Sequence, residues 1–280
     1  SLRPRIRPDN IDKQMTESLR PKSREEGLIE RRQKEEDRDR QTKGFGNLEY
    51  RAELEPQLSW NPIARLGYDP DKHKVIKIYK GYNPNWFKNI IPFDYTSIGI
   101  PKNSIVVAFA GTNTKNKRIS DFIKSSQYLS TEKEVHYIIF GKDTIDTGLE
   151  KYKKESPIKN NIHILGLRPD AVSLIKGCNL YVHRSLSEGN VRAISEALCV
   201  GKPTIMTDAG GCTELIDESC GIITPTKNPE AVGKAISSLV NNDKLRLQMG
   251  INAQKRIEKV YHIHDTVEDT MELYKQLLKQ

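Results

Sequence analysis

Residues 104–129 read SIVVAFAGTNTKNKRISDFIKSSQYL. An apolar, β-branched run ends at Gly111, a polar turn follows, and a helical pattern begins near Arg118. A strand that is apolar at nearly every position is covered on both faces, as in a parallel sheet; a strand with one wet face would alternate. The same unit recurs along the chain. Apolar runs stand at VHYIIFG (135–141), NIHILG (161–166), NLYVHRS (179–185), KPTIMTD (202–208) and CGIITP (220–225), and a further run, HKVIKIYKG, occupies 73–81. Helical patterns lie between them at RPDAVSLIKGC (168–178), NVRAISEALCV (190–200) and NPEAVGKAISSLV (228–240). Strand–helix repeats of this length predict an α/β fold, a doubly wound parallel sheet with right-handed crossovers. Residues 243–261 and 265–280 read as two further amphipathic helices.

Composition separates this region from the N-terminal part. The chain has 280 residues, a net charge of +8, 36% hydrophobic and 7% aromatic residues. These apolar fractions are low for a wholly globular chain of this size. The deficit is concentrated in residues 1–58, where 24–40 holds 13 charged residues in 17. That extension is expected to be disordered or to form a lone exposed helix. Residues 59–100 read as a linker with a strand leading into the domain, 101–262 as a Rossmann-like domain and 263–280 as a C-terminal helix.

No run approaches the roughly 18–20 apolar residues of a membrane span. The basic N-terminus lacks the apolar region of a secretory signal. Cys178, Cys199, Cys212 and Cys220 have neither CxxC nor zinc-finger spacing, so buried free thiols in a reducing cytoplasm are expected. The positive charge favours an anionic partner and is compatible with contact at the inner face of a membrane. RPRIRP, near the start, is followed closely by acids with no interleaved aromatic, so nucleic acid is not among the expected partners.

Open parallel sheets bind ligands beyond the carboxyl ends of their strands. Three segments fall at such ends. GTNTKNKR (111–118) puts Lys115, Lys117 and Arg118 before a helix, either as a phosphate site or as an ordinary solvated turn. HRSLSEGNVRAISEAL (183–198) carries Ser185, Glu188, Gly189 and Glu196. The two glutamates, eight positions apart, are expected on roughly one helical face, with Glu188 at its N-terminal mouth. They could accept hydrogen bonds from sugar and ribose hydroxyls; the plainer reading is a cap and a surface charge. TDAGGCTEL (207–215) supplies a glycine pair, Gly210 and Gly211, whose amides could face an anion.

Taken together, SEGNVRAISEALCVGKPTIMTDAGGCTELI resembles the donor-site signature of GT-B glycosyltransferases, family 4. The pattern E-G, six residues, E-A, G-x-P and G-G-x-x-E is met by Glu188, Gly189, Glu196, Ala197, Gly201, Pro203, Gly210, Gly211 and Glu214. The flanks are similar too, so the likeness runs from about residue 60 to 280. It implies a retaining transferase acting on a nucleotide-diphosphate sugar, with no metal or other cofactor. Glu188 would contact the sugar and Lys117 the diphosphate, the two groups closest to catalysis. Glu196 would hold the ribose, and Gly166, Leu167 and Arg168 would lie beside the nucleobase. Lys115, Ser185, Gly189, Asn190, Gly210 and Gly211 complete the implied donor-binding set. The chain departs from the pattern at Thr112, where the family often has arginine, and at Arg118, where it usually has glycine. Such enzymes also carry an acceptor-binding half that residues 1–58 cannot build. A glycan or lipid-linked acceptor is implied, and either the sequence is a fragment or split gene product or a second chain supplies that half; the alternative is a non-catalytic nucleotide-sugar-binding remnant.

Overall fold

A computed structural model describes residues 76–145 and 148–279. The expectations for residues 1–58, and for 59–75 of the linker, lie outside the described residues. Six strands form one sheet: β1 (Ile105–Ala110), β2 (Val135–Phe140), β3 (Ile162–Ile164), β4 (Leu180–His183), β5 (Thr204–Thr207) and β6 (Gly221–Thr224). Their order is β3-β2-β1-β4-β5-β6 and every pairing is parallel. Ile105 lies opposite Val135 and Ala110 opposite Phe140, while Val107 lies opposite Leu180. The sheet grows from β1 towards one edge through β3, then resumes at β4 on the other side of β1. The chain thus leaves β1 and β4 in opposite directions, and a crevice opens between their carboxyl ends.

Seven α-helices flank the sheet among the described residues. They are α1 (Ile119–Ser125), α2 (Leu149–Lys154), α3 (Ala171–Gly177), α4 (Arg192–Cys199), α5 (Pro229–Val240), α6 (Asp243–Val260) and α7 (Ile263–Leu277). Alternate residues of β1 serve two cores. Val107 and Phe109 pack with Phe122 and Ile123 of α1 and Ile236 and Leu239 of α5. Val106 and Ala108 pack with Leu174 of α3, Ile194 and Leu198 of α4 and Ile257 of α6. Each large apolar side chain buried this way contributes about 1.5–3 kcal/mol, so neither face of β1 tolerates a polar residue. That is why the run is continuous.

The strand expected across 73–81 does not form over its described part. Ile76–Lys80 has no regular structure, and only Tyr82 makes a parallel bridge, with His262. The segment is tied down by side chains instead. Lys77 pairs with Glu214 at 2.8 Å, and Tyr79 meets Tyr261 edge-on at 5.3 Å. All four cysteines are free and buried, with burial pushing Cys178 up to about 11 and the others to about 12. At neutral pH they are inert thiols. No helix among the described residues is long and apolar enough to cross a membrane.

Candidate functional site

The turn after β1 and the segment after β4 meet over the crevice. Asn116 joins them: its carbonyl accepts from Leu186 N at 3.0 Å, its side-chain oxygen accepts from Ser187 N at 3.2 Å, and its amide donates to Ser187 O at 3.0 Å. Ser185 is buried, and its hydroxyl donates to Asn116 O at 3.3 Å. The segment after β5 closes the third side. Glu188 N donates to Ala209 O at 2.7 Å, and Glu188 forms a parallel bridge with Gly210. Gly210 adopts φ 90°, a conformation open to glycine at no steric cost, and a Cβ there would stand 3.2 Å from Glu188 O. Gly211 lies beneath Gly189, whose own Cβ position faces open space.

Beneath this layer Thr207 connects β5 to β4. Its hydroxyl accepts from Ser185 N at 2.9 Å and donates to Ser185 O at 2.7 Å. Thr207→Val keeps the shape but strands two buried backbone groups, each costing about 1–3 kcal/mol. A fall in melting temperature of roughly 2–4 °C per kcal/mol is expected by calorimetry. An unchanged melting temperature would show that the Ser185 backbone finds other partners.

At the centre of the three segments, Lys117 Nζ lies 2.6 Å from Glu188 Oε1. Both side chains are mostly buried, at 21% and 15% exposure, so the pair is better shielded than a surface ion pair. Burial works to raise the Glu188 carboxyl, but neighbouring His183, Lys117 and Ser185 outweigh it and hold the group at about 2. Glu188 is therefore a carboxylate at neutral pH. His183, the last residue of β4, is buried beneath it with Nε2 at 3.7 Å from Oε1. Burial keeps His183 below the ordinary histidine range, with Lys117 pushing the same way, so the ring is neutral.

A second group of predicted residues gathers elsewhere on the same side. Glu196 is buried on α4 and accepts from Arg192 Nε at 2.7 Å. It lines an open cleft of about 600 Å³ with Pro169, Asp170 and Ala193. Arg168, at the edge of this cleft, pairs with both carboxylate oxygens of Asp170 at 2.8 and 2.7 Å and lies over the Phe93 ring. Leu167 is exposed, and Gly166 turns with φ 70° while its carbonyl accepts from Gly141 N. Asn190 accepts from Tyr82 OH at 3.3 Å.

Two expectations need correction. Glu188 and Glu196 do not share a helical face, because α4 begins only at Arg192 and Glu188 is held in an extended bridge to Gly210. Glu196 is not a surface charge. Lys115 is exposed on the turn, whereas Lys117 points inward. Arg118 occupies the place of a glycine and adopts its left-handed backbone, at φ 49°. Its guanidinium is fixed by Asp121 at 2.8 and 3.0 Å, which offsets the strain of that backbone. Asn116, Thr207 and His183 were not singled out from the sequence. A histidine closing the otherwise apolar run of β4 was the one available signal.

The family model for glycosyl transferases group 1 matches residues 91–256. An N,N'-diacetylbacillosaminyl-diphospho-undecaprenol alpha-1,3-N-acetylgalactosaminyltransferase of Campylobacter jejuni is 30% identical over 162 residues, covering 57% of this chain and 41% of that protein. A UDP-Gal:alpha-D-GlcNAc-diphosphoundecaprenol alpha-1,3-galactosyltransferase of Escherichia coli is 25% identical, over 63% of this chain and 47% of its own. The chain spans about half the length of the curated relatives it matches. Among solved structures, Anabaena Alr3699/HepE in complex with UDP and glucose shares the fold with a TM-score of 0.67 and 21% identity, over 79% of this chain and 61% of that one. With a parallel sheet of this order and a family match across most of the described domain, the chain belongs to the glycosyl transferases group 1.

Proposed function

We propose that this chain is the donor-binding part of a retaining glycosyltransferase, acting on a nucleoside-diphosphate sugar and a glycan or lipid-linked acceptor. The observation that carries this reading is the Lys117–Glu188 pair at 2.6 Å, held where the chain leaves β1 and β4 in opposite directions. A shielded ammonium next to a carboxylate offers a cation for the diphosphate and an acceptor for sugar hydroxyls. As the sugar–phosphate bond breaks, negative charge grows on the leaving diphosphate, and Lys117 stabilises it in a partly dry site. Such stabilisation needs no metal. Backbone amides around Gly189 and the Gly210–Gly211 turn add donors, and Glu196 beside Arg192 accepts the ribose diol. Gly166, Leu167 and Arg168 flank the base.

The relatives named for diphospho-undecaprenol substrates support a lipid-linked acceptor, and Alr3699/HepE with UDP supports the donor class. The acceptor is bound by a further half of the enzyme, on this or a second chain, at the cytoplasmic face of a membrane. Thermal-shift titration with UDP, GDP and ADP, each with and without EDTA, tests the donor site. One of them should raise the melting temperature, since a ligand bound only by the native state stabilises it, by about 2.7 kcal/mol at a hundredfold excess over Kd. The rise should survive EDTA. No shift with any nucleotide sinks the reading. Binding without turnover when acceptor and acceptor half are supplied would instead mark a nucleotide-sugar-binding module.

A further inference from the structure

His183 is out of place for the fold alone. The three preceding residues of β4, Leu180, Tyr181 and Val182, are buried and apolar. The His183 side chain is equally enclosed, at 1% exposure, and neither ring nitrogen has a hydrogen-bond partner. Each unpaired buried nitrogen carries a desolvation cost that an apolar residue would avoid. The ring is well held: it stacks parallel to Phe109 at 6.1 Å and lies 6.5 Å from the Tyr181 ring. One nitrogen, Nε2, is aimed at the crevice, 3.7 Å from Glu188 Oε1, which is just too long for a hydrogen bond. The same oxygen is already taken by Lys117 at 2.6 Å and approached by Asn116 Nδ2 at 3.5 Å.

We propose that His183 is a positioning residue for Glu188: when an anionic ligand draws Lys117 away, the Nε2–H of the buried imidazole closes onto Oε1 and holds the carboxylate in register. This rests on the reading above, in which Lys117 turns to the diphosphate. Once the ammonium leaves, Glu188 loses its shortest hydrogen bond while still largely buried, and a carboxylate in that state needs another donor. His183 is the remaining neighbour with an unused one. The tautomer bearing hydrogen on Nε2 is the one the carboxylate favours. Less than an ångström of approach converts 3.7 Å into a hydrogen bond. Without it, Glu188 swings freely just when the sugar has to be oriented, and loss of orientation on the ångström scale costs up to about a hundredfold in rate.

The test combines a spectroscopic measurement with the nucleoside diphosphate that binds and a kinetic one on the corresponding nucleoside-diphosphate sugar, with acceptor and acceptor half supplied. In the wild-type protein, the assigned His183 Nε2–H resonance should shift downfield on addition of that nucleotide, as a hydrogen bond to a carboxylate forms. His183→Phe keeps the stacked ring and removes both nitrogens. Its nucleotide Kd should stay within about twofold of wild type, because Lys117 is untouched, while kcat falls roughly ten- to a hundredfold. His183→Gln, which restores a donor, should recover part of kcat. A saturated wild-type protein whose His183 resonance does not move overturns the proposal, whether or not the variants fold. So does His183→Phe with kcat within twofold of wild type. Nucleotide binding that is indifferent to Lys117→Ala overturns the donor-site reading first, and this proposal with it.

Discussion

Removing the two charges of the central pair is expected to give opposite results in a nucleotide-binding assay. In the resting protein Glu188 competes with any phosphate for the Lys117 ammonium, at 2.6 Å. Lys117→Ala removes the cation, so nucleoside diphosphate binding should weaken about ten- to a hundredfold, the effect of roughly 1.5–3 kcal/mol for a charge-assisted hydrogen bond. That loss should shrink as salt rises. Glu188→Gln removes the competitor, so binding of the diphosphate alone should hold or tighten, while sugar transfer falls by about 10²–10³ or more. Calorimetric titration of both variants with the same nucleotide, beside a transfer assay, separates the roles. Equal weakening in both would show that the pair acts as one structural unit and not as a ligand switch.

The pH behaviour of Glu188 sharpens this. Its folded value is about 2, below the unfolded glutamate value of about 4.3. A depressed carboxyl contributes stability that is fully present above the unfolded value and is lost as pH falls through the folded one. The contribution should therefore be constant from pH 6 to 8 and decline only between about 4.3 and 2. In Glu188→Gln this part of the acid limb should flatten, measured as melting temperature against pH. A limb of unchanged slope would show that other carboxylates control it.

The fold was legible because continuous apolar runs leave little choice. β1 and β2 are enclosed on both faces, and only a parallel sheet between helical layers does that. The segment at 73–81 misled for the opposite reason. Lys77, Ile78, Tyr79 and Lys80 mix apolar and charged positions as an edge strand does, yet the Lys77 and Tyr79 side chains serve Glu214 and the Tyr261 ring while the backbone of 76–80 joins no sheet. Motif spacing located Lys117 and Glu188 near strand ends but gave no means of pairing residues 71 positions apart. Their contact depends on β1 and β4 being neighbours, which local pattern does not specify. The placement of Glu196 failed on a local point. Spacing of eight suggests one helix face, but Gly210 captures the Glu188 backbone in a bridge and α4 starts late.

Asp121 is expected to be the position where a single isosteric change harms stability most. It lies in the first turn of α1, with its side chain 4% exposed, and carries two arginines. Arg118 binds it at 2.8 and 3.0 Å, and Arg184 approaches at 3.4 Å. Arg184 is wholly buried at the end of β4, and burial pushes it down to about 10 against the pull of Asp121, so it is still charged at neutral pH. Asp121→Asn leaves that guanidinium in the interior with no counter-charge, a change that typically costs about 3–5 kcal/mol. The lost stability should be visible as a drop of roughly 6–20 °C in melting temperature. Because Arg118 adjoins Lys117, the same variant should also loosen the basic turn and weaken nucleotide binding. Arg118→Ala should be far milder, near 1 kcal/mol, since its side chain is one-third exposed and Asp121 keeps Arg184. Replacing the buried charge as well, in Asp121→Asn with Arg184→Met, should return part of the loss, because an apolar pair of similar volume needs no compensation. Chemical denaturation of the three variants decides it: if Asp121→Asn lies within 1 kcal/mol of wild type, Arg184 reaches water or another acceptor, and the link between the basic turn and β4 is not electrostatic.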